Sequence, residues 1–119
     1  MESYPAIDLA AALERFDGDQ ELFLTLAALF VERSAEALAA LQAALAAQDL
    51  PTLAKEAHKL KGSALEFCAR ATVDAAAQLE ESAQQSAAHE VAAHGERVHA
   101  ELERLTVALR TIIEKGFPS

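Results

Sequence analysis

At 119 residues and a formal charge of −9, the chain has room for one hydrophobic core and not for two. That charge argues against nonspecific binding to nucleic acid or to an anionic membrane, both of which want basic surface. Alanine and leucine dominate the apolar residues, and with only four glycines and three prolines the composition predicts an all-α protein.

In chain order, residues 1–7 read as a loose leader, and Met1-Glu2-Ser3-Tyr4-Pro5 lacks the basic and apolar runs of a signal peptide. Asp8 is placed to cap a short helix from Leu9 to about Phe16. Asp17-Gly18-Asp19 breaks the pattern, and Asp19 can cap a second helix over about 20–47. Its expected seam is Leu22, Leu26, Phe30, Ala37, Leu41 and Leu45, with Phe23 and Phe30 read as core and not as docking groups. Asp49 caps a third helix over about 50–69, with Pro51 in its first turn, where a missing N–H does no harm. The seam there is Leu53, Ala57, Leu60, Ala64 and Phe67, spaced 4-3-4-3. A fourth helix, about 71–84, turns Val73, Ala76, Leu79 and Ala83 inward, and Ser86 is a possible cap for the next. The last helix, about 88–114, carries Val91, Val98, Leu102, Leu105, Leu109 and Ile112. Gly116 and Pro118 then stop it, leaving 116–119 as a loose tail. Long amphipathic helices with short connections favour an antiparallel up-down four-helix bundle with a short extra N-terminal helix, as one domain spanning 1–119.

The third helix holds the chain's most unusual stretch, with a histidine between lysines and Gly62 inside the helix. Glycine there costs about 0.5–1 kcal/mol relative to alanine, so helix stability does not explain it. At ~100° per residue, His58 lies roughly 140° from the centre of the seam, on the outer surface. Lys55 and Lys61 flank it, Gly62 lies one turn along the same surface, and Leu65 follows two turns on. A neutral imidazole is nucleophilic near neutral pH. Beside it, Lys61 or Lys55 can attract phosphoryl oxygens as point charges. Phosphoryl transfer needs mainly positioning and charge stabilisation, so a sparse site can suffice. Gly62 would keep the approach open, and Leu65 and Lys59 would contact a partner. The plainer alternative is a solvated helix face whose glycine merely allows close packing.

His58-Lys59-Leu60-Lys61-Gly62-Ser63-Ala64, ending at Phe67-Cys68-Ala69, resembles the signature of histidine-containing phosphotransfer (HPt) domains, roughly H-x-L-K-G-S/A-S/A-x-x-L/F-G-A. The likeness extends to Asp17-Gly18-Asp19, to Asp49 and to Leu79-Glu80. It implies a phosphoryl carrier in a multistep phosphorelay, in which His58 accepts from a receiver-domain aspartate and passes the group to another receiver. It also implies that Lys61 assists the phosphoryl group and Gly62 leaves room. The expected partners are receiver domains of response regulators or of a hybrid sensor kinase, with Mg2+ on the partner and no cofactor on this chain. Cys68 departs from the pattern, which commonly has glycine there; a small side chain packed partly inward, with a repacked helix contact, is expected.

Lys59 follows His58 where dimerising kinase domains usually have an acidic residue, and no Gly-rich nucleotide loop is visible. A carrier is therefore expected and not an autophosphorylating enzyme. His89, His94 and His99 advance ~140° per step on a helix and diverge, so no metal site is expected. Glu80-Glu81 and Glu101-Leu102-Glu103 read as surface charge. A lone Cys68 suits a reducing compartment, and no apolar run is long enough to span a bilayer. A monomeric, cytoplasmic, stand-alone protein is expected. The alternatives are a domain of a larger kinase and a non-catalytic helical module that binds a receiver or another signalling partner without accepting phosphate.

Overall fold

The computed structural model describes residues 6–117 and is all-helical, with no strand among those residues. In chain order the helices are α1 (Leu9–Arg15), α2 (Gln20–Ala46), α3 (Leu50–Leu65), α4 (Arg70–Gln84) and α5 (Ala88–Lys115). The body is 45 Å long and 21 Å across, about the length that 27 residues of α2 span at ~1.5 Å each. The helix α3 packs on α4 and α2, and α5 closes the ring against α4 and α2. No described helix is long and apolar enough to cross a membrane.

Three expected caps form: Asp8, Asp19 and Asp49 each accept a hydrogen bond from the backbone N–H three residues on. The C-termini of α1 to α4 share a device that was not anticipated. Asp17, Gln48, Cys68 and Ser86 all have φ between 51° and 56°. After each, the next residue's N–H reaches back five residues, as in Gly18 to Leu13, Asp49 to Ala44, Ala69 to Ala64 and Ala87 to Ser82. These are Schellman caps, whose left-handed residue is usually glycine. The third helix accordingly stops at Leu65 and not at Ala69, because Cys68 turns the chain and Ala69 becomes the N-cap of α4. Ser86 likewise ends α4, and the N-cap of α5 is Ala87. Cys68 is half-buried as expected and packs against this end of the core, but it does so from a turn and not from within a helix.

Left-handed backbone costs a non-glycine residue roughly 1–2 kcal/mol, partly offset by glycine's larger unfolded-state entropy. Gln48→Gly, at an exposed position, is therefore expected to stabilise the fold. The gain should be up to about 1 kcal/mol, near 4 °C in Tm for a chain of this size, read by thermal unfolding.

The core follows the expected seams of α3 and α5, every one of whose named residues is buried. In α4, Ala76, Leu79 and Ala83 are buried and Val73 is half-buried. The seam of α2 differs at its start: Leu22 is 46 % exposed, while Phe23 and Ala27 are fully buried. Apolar residues cover nearly the whole circumference of that segment, and the ring of Phe23 takes the core position. Phe23 stacks edge-on with Phe16, Phe67 and Phe117, with centroids 5.4–5.5 Å apart, and Phe30 meets Phe67 at 5.5 Å. The cluster also corrects the loose ends. Ala6 and Ile7 are buried in this end of the core, and Phe117 packs against it. Asp8 N–H donates to the Cys68 carbonyl at 3.2 Å. The rest of the expected leader (1–5) and Pro118 with Ser119 lie outside the described residues.

Candidate functional site

His58 stands on α3 with its side chain 66 % exposed, one residue after the fully buried Ala57 and two before the buried Leu60. The seam thus fixes the backbone of this turn while the ring points away from the core. Its Nδ1 lies 2.9 Å from Oε2 of Glu80 on α4. The other carboxylate oxygen, Oε1, accepts from Lys61 Nζ at 2.7 Å. Glu80 therefore divides its two oxygens between the imidazole and the ammonium and ties α4 to α3 at the site.

Glu80 is the neighbour of His58 to which the sequence reading gave no role: the resemblance took in Leu79-Glu80, but Glu80-Glu81 were read as surface charge. Its side chain is only 13 % exposed, whereas Glu81 is exposed. A signal was present, since Glu80 stands four residues after Ala76 and three before Ala83, at the edge of α4's buried face. The hydrogen bond from Lys61 holds its carboxyl below the usual carboxylate range; burial opposes this, and the His58 contact adds to the lowering. The stabilisation belongs to the ionised form. It is present above the carboxyl's unfolded value and is lost as pH falls through the folded one.

A carboxylate acceptor at Nδ1 requires the proton on that nitrogen, which leaves the Nε2 lone pair outward. Nε2 has no hydrogen-bond partner among the described residues. In the neutral form, a ring held this way presents an unprotonated nitrogen to solvent.

The other expected site residues fall out separately. Lys61 is 32 % exposed and engaged with Glu80, so it starts as a partner of the carboxylate and not as a free cation. Lys55 is exposed and makes no ion pair among the described residues. Lys59 reaches Glu56 at 3.7 Å and lines an apolar groove between α2 and α3 with Phe30 and Leu60. Leu65 is 49 % exposed near the turn at Cys68. A Cβ built on Gly62 meets nothing within 4 Å, whereas one on Gly95 would come 2.6 Å from Leu45 Cδ1. Close packing within the chain explains Gly95 and does not explain Gly62.

His89 and His99 are exposed and His94 half-buried; among the described residues no three His, Cys, Asp or Glu side chains gather into a metal site. Glu101, read as surface charge, is instead buried and paired with Arg104.

The all-helical body thus presents an exposed imidazole on α3 with the Glu80 carboxylate at its Nδ1. The family description "Hpt domain" matches residues 25–111. The crystal structure of histidine-containing phosphotransfer protein B from Pseudomonas aeruginosa PAO1 superposes with a TM-score of 0.87 at 26 % identity, covering 95 % of this chain and 98 % of that one. No curated protein sequence gives a significant match. The chain belongs to the histidine-containing phosphotransfer family, whose members carry phosphoryl groups in phosphorelays and are not catalysts.

Proposed function

We propose that this chain is the phosphotransfer intermediate of a multistep two-component phosphorelay. His58 Nε2 takes a phosphoryl group from a receiver-domain aspartate and returns it to another receiver. The observation that carries the reading is the contact of Glu80 with Nδ1, which leaves the exposed Nε2 as the nucleophile. In the forward step the Nε2 lone pair attacks phosphorus, and the P–O bond to the aspartyl carboxylate breaks with its electron pair going to that carboxylate. Lys61, held to Glu80 by a hydrogen bond at 2.7 Å, can shift on its flexible side chain toward the incoming phosphoryl oxygens, while Lys55 adds positive charge nearby. Gly62 leaves the ring open to the partner's active site; Leu65 and Lys59 belong to the docking surface. Any Mg2+ would be held by the partner receiver. The arrangement proposed is one domain, an antiparallel up-down four-helix bundle with α1 as a short addition, acting as a cytoplasmic monomer without a cofactor of its own.

The test is incubation with phosphorylated receivers, with comparison of transfer rates among them; a receiver that loses its phosphate to this chain is a partner. Gly62 separates the open-approach argument from a packing role. Gly62→Ala is expected to raise stability by about 0.5–1 kcal/mol, since the methyl meets open space and helix propensity improves. Gly62→Glu is expected to slow transfer at least about tenfold, through bulk and through repulsion of phosphate, with the helical circular dichroism unchanged. Wild-type transfer by Gly62→Glu would refute the role given to the glycine.

A further inference from the structure

We propose that the phosphoryl group on His58 lies on the side of α3 turned away from α4, over Gly62, and that Lys55 is the cation that meets it there first. The inference rests on the reading of His58 Nε2 as the acceptor and gives the two lysines beside the ring different parts. Lys61 holds the carboxylate on the α4 side, and Lys55 receives the incoming group on the other.

The direction follows from the ring. Nδ1 and Nε2 are separated by one carbon of a five-membered ring, so their outward bonds diverge by about two fifths of a turn. Nδ1 is turned to Glu80 on α4, and a group attached to Nε2 therefore points away from α4. At ~100° per residue, Lys61 and Lys55 lie about 60° to either side of His58, with Gly62 about 40° round on the side of Lys55. The Lys61 side is the α4 side, because Lys61 Nζ donates to Glu80. The opposite side faces α2, since Lys59, further round in that direction, lines the groove between α3 and α2. A Cβ at Gly62 would meet nothing within 4 Å, so that side has open space for the phosphoryl oxygens. A helical side chain also leans toward the N-terminus of its helix, which carries the His58 ring back over the turn that holds Lys55.

The charges point the same way. Of the four lysines in the chain, three stand on α3. Lys59 lies 3.7 Å from Glu56 and Lys61 2.7 Å from Glu80, whereas exposed Lys55 makes no ion pair among the described residues. Lys61 reaches phosphoryl oxygens only by giving up Glu80; Lys55 gives up no partner. As the P–O bond to the aspartyl carboxylate breaks and the Nε2–P bond forms, negative charge is spread over the three phosphoryl oxygens. The Lys55 ammonium offsets it as a point charge, with no bond made to it and no proton passed.

The experiment charges the wild-type chain, Lys55→Gln and Lys55→Arg with phosphoramidate, a small-molecule donor that requires no partner. Lys55 is exposed, so both variants should keep the wild-type circular dichroism. Lys55→Gln is expected to take up phosphate about fivefold more slowly, the scale of an exposed charge contact, and Lys55→Arg to restore most of the rate. Salt near ~1 M should narrow the difference between wild type and Lys55→Gln, because it screens that contact. A second readout follows the lysine ammonium signals by nitrogen-15 NMR, with Lys55→Gln and Lys61→Gln assigning the two that matter. Phosphorylation of His58 should shift the Lys55 signal more than that of Lys61, an effect that a merely structural Lys55 would not show. A wild-type rate in Lys55→Gln, or a larger shift at Lys61 than at Lys55, would overturn the role of Lys55 and leave His58 as the acceptor. Failure of the wild type to acquire phosphate at His58 would overturn both.

Discussion

His58→Gln is expected to abolish labelling by every phosphorylated receiver, because an amide nitrogen offers no lone pair comparable to that of Nε2. The fold should survive the change. The His58 ring is largely exposed and contributes no buried surface to the seam, and Glu80 keeps its contact with Lys61. Circular dichroism and thermal unfolding should therefore match the wild type while acid-labile, base-stable phosphate disappears. Acid-labile phosphate retained on the variant would move the acceptor elsewhere, and His89 and His99, both exposed, would be the next residues to replace. The same variant separates the carrier from a module that only binds. If receivers bind the His58→Gln chain as they bind the wild type, and no phosphohistidine is detected on either, the interaction-module reading wins.

The site was legible where one helix held all of it. In α3 the apolar residues occupy a single face at 4-3-4-3 spacing, so their register also fixed where His58, Gly62 and Leu65 point. The structure keeps each of them exposed. What spans two helices was not legible. Glu80 lies 22 residues after His58, and its place at the edge of α4's apolar face sets it apart from Glu81 without saying which helix that edge meets. Only the packing of α4 on α3 turns one carboxylate in and leaves the other in water. The start of α2 failed for the opposite reason. Leu22, Phe23, Leu24, Leu26, Ala27, Ala28 and Leu29 present apolar surface in almost every direction, so periodicity had no contrast to read. The end of α3 was hidden by Cys68, because a left-handed turn is normally announced by glycine and this chain makes it with cysteine.

Phe67→Ala is expected to be the most destabilising single truncation in the chain, at about 3–5 kcal/mol. Phe67 is 2 % exposed and its ring meets Phe16 at 6.1 Å and Phe23 and Phe30 at 5.5 Å. It sits just past the last turn of α3, between the Schellman hydrogen bond of Ala69 to Ala64 and the body of the core. Removing it leaves a cavity that three other rings line, and those rings come from the end of α1 and from two positions in α2, so collapse around it would have to move both helices. Against a total stability of 5–15 kcal/mol typical of single domains, the loss should lower Tm by roughly 10–20 °C. In urea it should lower the unfolding midpoint with the slope unchanged, because the surface exposed on unfolding is nearly the same. Below its own melting temperature the variant should still accept phosphate. His58 is nine residues away along α3, and its geometry is set by Ala57, Leu60 and Glu80, which belong to the other half of the core or to its edge. A cost below about 1 kcal/mol would mean that the phenylalanine cluster is loosely packed and that α1 is held chiefly by Ile7 and by the hydrogen bond from Asp8 to Cys68.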